Sequence, residues 1–109
     1  MKKEQNFLEM VPKISEKLTL TKKDDLITIS FKRTSFLDKF FNFLFKKSAT
    51  VYIELDDIGT KVFELIDGNR NIGEICQLLE QDLGEKVSPV VQRTTQFMAS
   101  LRRNGFIQF

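Results

Sequence analysis

Few side chains in this chain could do chemistry. Among 109 residues there is one cysteine, Cys76, and no histidine. Structural zinc sites are built from Cys and His clusters, so none can be assembled, and the commonest general base is missing. Cys76 falls on the inner stripe of a helical pattern. A buried thiol there is inert, because reactivity needs exposure and electropositive neighbours. Asp56-Asp57 is an adjacent carboxylate pair, but it stands where a helix begins, and there the two acids serve as cap and first-turn charge favoured by the helix dipole. The glycines at 59, 68, 73, 84 and 105 form no phosphate-cradling loop. The sequence predicts no enzyme: no catalytic residue, no metal and no cofactor.

What remains is binding, and charge divides the chain. Residues 1–50 hold eleven Lys/Arg against six acids, a net +5; residues 51–109 hold six against nine, a net −3. The acidic half carries two helices joined by a glycine turn, Leu55 to Gly84, with the spacing of a helix-turn-helix. A third helix follows, whose outward side offers Gln92, Arg93, Gln96, Ser100, Arg102 and Arg103. These could read bases, or they could form a solvated face. Affinity for DNA comes largely from neutralising phosphates, and Glu74, Glu80, Asp82 and Glu85 on the flanks oppose it. No nucleic acid is therefore expected as a partner, and a winged-helix DNA-binding regulator stands as the alternative reading.

The elements follow from local pattern. Leu18 and Leu20 alternate with polar residues, as do Ile27, Ile29 and Phe31, and period two means strands. Lys22 to Asp25 is the polar turn of this hairpin. Residues 51–55 (VYIEL) are a third strand, with Val51, Ile53 and Leu55 on one face and Tyr52 and Glu54 on the other. Between them, Phe36, Leu37, Phe40, Phe41 and Leu44 form a short helical stripe, N-capped by Ser35. It either packs on the domain or, with Lys39, Lys46 and Lys47, lies on a membrane surface. The first main helix buries Ile58, Val62, Leu65 and Ile66 and stops at Asp67-Gly68. The second is capped by Asn71 with Glu74 three residues on, buries Ile72, Ile75, Cys76, Leu79 and Leu83, and ends at Gly84. Ser88-Pro89 opens the third as N-cap and first helical residue; its stripe is Val90, Thr94, Phe97, Met98 and Leu101, and Asn104-Gly105 closes it.

The fold class is thus α+β, winged helix-turn-helix-like: a small antiparallel three-stranded sheet on a three-helix bundle, with an extra short Phe-rich helix. One domain, 1–109, comprises a loose N-terminal arm (1–14), a sheet with an inserted short helix (15–55) and a three-helix bundle (56–109). One thiol suits a reducing, cytoplasmic setting. Lys2, Lys3 and Glu4 do not open a signal peptide, and no apolar run approaches the roughly 20 residues of a membrane span.

The third strand has a second use. As an edge it would present unpaired N–H and C=O groups to a further strand. It has no proline, no lysine and one charge, so it is poorly blunted. A peptide could pair along Val51, Tyr52, Ile53, Glu54 and Leu55, with its side chains meeting a second stripe on the third helix, Val91, Thr95, Met98 and Arg102. Val91 and Met98 would take apolar side chains or complete the core; Arg102 would pair with an acid.

These residues resemble a known family. The run YIELDDIGTKVFELIDGNRNIGEICQLLEQDLG, with Val91 to Ile107 and its LRRNGFI ending, is similar to the PqqD family. The shared pieces are Leu55, Gly59, Val62, Leu65-Ile66-Asp67-Gly68, Arg70 to Ile75 and Leu101 to Ile107. Asn71 stands where Thr is usual, and Phe63 where Trp is common. The likeness covers residues 50–109 well and the hairpin loosely. It implies a RiPP recognition element, a peptide chaperone. Such a domain binds the leader of a ribosomally made precursor as an extra strand and presents it to a modifying enzyme, often a radical SAM protein. The acidic helix-turn-helix would then be a scaffold that never faces phosphate.

Overall fold

The computed structural model of the protein describes residues 7–32 and 50–109. The Phe-rich segment at 36–45 and the first six residues lie outside them. The described chain is α+β, with a three-stranded antiparallel sheet and several helices. Its contacts separate into two units, one within residues 16–57 and the other within 1–15 and 58–109.

The first unit is the sheet, ordered β2 (Thr19–Lys23), β3 (Leu26–Lys32) and β4 (Thr50–Glu54). The turn between β2 and β3 is tighter than the four polar residues suggest. Only Asp24 and Asp25 lie outside the strands, and both have positive φ, 54° and 66°. Two central residues at positive φ match the right-handed twist of a hairpin, and Asp tolerates this conformation through its short polar side chain. On β3 the alternation holds: Ile27 and Ile29 are buried while Thr28 and Ser30 are half-buried. On β2 it does not. All five residues are exposed, and Leu20, expected inward, is 39% exposed.

The second unit holds α1 (Asp57–Leu65), α2 (Ile72–Leu83), a single 3₁₀ turn (Gly84–Val87) and α3 (Val90–Arg103). Its core is Val62, Phe63, Leu65, Ile66, Ile72, Ile75, Leu79, Met98 and Leu101. Phe63 was absent from the expected stripe of α1; it is buried, with its ring edge-on to Phe97 at 6.5 Å, while Ile58 is only half-buried. The Asn71 cap is complete in both directions. Its Oδ1 accepts from the Glu74 N–H at 2.7 Å, and Glu74 Oε1 accepts from the Asn71 N–H at 2.9 Å. The start of α3 differs from the expected Ser88 cap. Pro89 is the N-cap residue, and its carbonyl accepts the first helical bond from the Arg93 N–H at 3.1 Å. At the other end the Phe106 N–H bonds to the Leu101 carbonyl and the Gly105 N–H to that of Arg102, with Gly105 at φ 76°. That is the paired closure a left-handed glycine permits.

Residues 7–14 are not a loose arm. Residues 7–9 form a helical turn, Pro12 is fully buried, and the Met10 carbonyl accepts from the Ile72 N–H at 2.9 Å. Lys13–Ile14 (β1) pairs antiparallel with Ile107–Gln108 (β5), so the C-terminal tail is a strand with Ile107 buried.

Candidate functional site

The site is built on β4, which among the described residues pairs only with β3. In an antiparallel pair, opposite residues alternate between bonded and non-bonded. The Leu55 N–H donates to the Ile27 carbonyl at 2.9 Å. Counting back by twos through the register, Ile53 opposite Ile29 and Val51 opposite Phe31 also bond to β3. The N–H and C=O groups of Thr50, Tyr52 and Glu54 therefore turn to the opposite, outer edge. Side chains alternate independently of this: Val51, Ile53 and Leu55 are half-buried, while Tyr52 and Glu54 are exposed. Tyr52, at 71% exposure, is an aromatic ring held on the surface of a strand.

The sheet's other edge is defended differently. β2 carries Lys22 and Lys23 among its exposed residues, and edge lysines discourage strand addition. β4 has neither lysine nor proline.

The four predicted residues of α3 are not alike. Val91 is 42% exposed. Thr95 is half-buried, and its hydroxyl donates to the Val91 carbonyl of its own helix at 2.8 Å. Met98 is wholly buried at 0%, so it belongs to the core and presents no surface. Arg102 is exposed, but its guanidinium lies 5.2 Å from the centre of the Phe109 ring, which meets Phe7 edge-on at 5.6 Å. Val91 also lines a groove of about 580 Å³ walled by α2, the start of α3 and residues of the N-terminal arm. The arm's part in that groove was not legible, because residues 1–14 have no period.

No group of three or more metal-ligating side chains occurs among the described residues. Burial pushes the Cys76 thiol above its ordinary value, outweighing a hydrogen bond with Thr94 that favours the thiolate, and Cys76 is 3% exposed. Arg93, one of the candidate base-reading residues, donates instead to the Lys86 carbonyl.

An α+β chain whose strand β4 is, among the described residues, a sheet edge without lysine or proline has the form of a small binding domain. Residues 43–107 match the family model described as Coenzyme PQQ synthesis protein D (PqqD), and the chain belongs to that family. Members of this family are non-catalytic accessory proteins that bind a precursor peptide and partner biosynthetic enzymes. No curated protein and no solved structure matches the chain.

Proposed function

We propose that the protein is a leader-peptide-binding domain. β4 takes an extended segment of a ribosomally made precursor as an additional strand, and the domain holds that segment for a modifying enzyme of the radical SAM type. The observation that carries this is the outward-facing main chain of Tyr52 and Glu54 on an edge without lysine or proline. Main-chain bonds supply affinity for any extended peptide, and side chains supply choice. Tyr52 and Glu54 border the added strand: the ring favours an aromatic or β-branched neighbour and the carboxylate a basic one. A single buried thiol suits a reducing compartment, and the chaperone works in the cytoplasm.

Tyr52→Pro tests the reading. Proline removes the one N–H that β4 turns outward at its centre, and it is tolerated on edge strands. The β3–β4 ladder does not use that N–H, so circular dichroism should be unchanged while affinity for a leader-derived peptide collapses. Full binding by a folded Tyr52→Pro protein would exclude β4 as the pairing edge.

A further inference from the structure

A groove beside Val91 is lined by residues of α2, the start of α3 and the N-terminal arm. Its apolar lining includes Leu8, Val90 and Val91. Its lining also holds three acidic residues, Glu9, Glu74 and Glu80, and none that is basic. At about 580 Å³ it has room for a few side chains, within the roughly 300–1,000 Å³ of pockets that take small ligands. One wall, Leu8 and Glu9, comes from outside the matched residues 43–107. That wall is held close. The Ile72 N–H bonds to the Met10 carbonyl, and a Cβ added at Gly73 would stand 3.4 Å from the Leu8 carbonyl oxygen.

We infer that this groove docks a basic segment of a partner protein, one in which Lys or Arg flanks one or two apolar side chains. The apolar lining takes the apolar group, with Val91 42% exposed among the described residues. Glu74 is held in its cap, but Glu9 and Glu80 supply charge that no side chain of the lining neutralises, and complementary charge sets which partner is admitted and how fast it arrives. The −3 balance of residues 51–109, adverse for DNA, is favourable for such a partner.

The test is an NMR titration of the full chain with a short peptide alternating Leu and Lys, and with its Leu/Glu counterpart. The Leu/Lys peptide should shift the amides of Leu8, Gln77, Glu80 and Val91 saturably, and the Leu/Glu peptide should not. Glu80→Lys should weaken binding by roughly tenfold or more, and Glu80→Gln by less, whereas Glu85→Lys, the same charge change away from the lining, should leave it near the unmodified value. Equal losses in Glu80→Lys and Glu85→Lys, or unsaturating shifts spread over all acidic residues, would reduce the effect to net charge and overturn the site. The same amides shifting with protein concentration alone, and ceasing to do so in Glu80→Lys, would give the groove to a second copy and overturn the partner.

Discussion

Tyr52 shows how one residue can point in two functional directions. Its N–H and C=O lie in the plane of the sheet, toward the open edge, while its ring stands off the face at 71% exposure. Tyr52→Ala keeps the main chain and removes only the ring, so it should weaken leader-peptide binding modestly, by ~1 kcal/mol, far less than Tyr52→Pro; isothermal titration of both variants checks the order. Glu54→Lys should reverse the preferred sign of the peptide residue opposite it, read by titrating peptides that differ at one position. Cys76 makes the opposite case. Buried, and with its thiol pushed toward the neutral form, it should react with a thiol reagent only as fast as the protein opens, and urea should accelerate the reaction sharply. Asp67 sets a pH dependence. The backbone N–H of Asn69 and then that of Arg70, each 2.9 Å from Oδ1, hold its carboxyl below the ordinary 3.8. A depressed carboxyl contributes stability above its unfolded value and loses it as pH falls through the folded one. The denaturation midpoint should therefore fall more steeply below pH 3.8 in the unmodified protein than in Asp67→Asn, and parallel curves would contradict this.

At the scale of elements, what could be read in advance was what has a strong local cause. Asn71 with Glu74, and the glycines at 68, 84 and 105, marked the helix ends because caps and positive φ need those residue types. Asn71→Ala should cost about 1 kcal/mol of unfolding free energy, measured by urea denaturation. Strands β1 and β5 had no comparable signal: two residues carry no period, and their pairing joins Lys13 to Gln108 across nearly the whole chain. Phe63 and Leu20 were misjudged for a related reason. Periodicity assigns a face but not the depth of burial, which depends on what packs opposite. The start of α3 slipped by one residue because Pro at N-cap and Pro at the first helical position share the same fixed φ and differ in ψ, which is extended at 119° for Pro89. The Asp24-Asp25 turn remains improvable. Asp25 sits at φ 66°, where a side chain is costly, so Asp25→Gly should raise stability by up to ~1 kcal/mol.

For the molecule as a whole, sequence reasoning found the strand β4 because an alternating run is visible residue by residue, while its place at the edge, among the described residues, comes from the pairing order. On α3 it left Met98 between a binding surface and the core, and the residue is wholly buried. A methionine at helical spacing suits either role, and only packing decides between them. Charge acts at this scale too. With Arg93 tied to the Lys86 carbonyl and Arg102 over Phe109, the acidic half should bind DNA no more tightly than the 10⁻⁴–10⁻⁶ M of non-specific contact at about 150 mM salt; a tighter, sequence-dependent value would restore the regulator reading. The central claim is that a peptide adds to β4, and amide NMR during titration with a leader-derived peptide tests it most directly. The largest shifts should fall on residues 50–56. Within β4, the amides of Tyr52 and Glu54 should gain protection from hydrogen exchange, while those of Ile53 and Leu55, already bonded to β3, change little. Shifts concentrated on residues 71–83, with Tyr52 and Glu54 still exchanging freely, would contradict it.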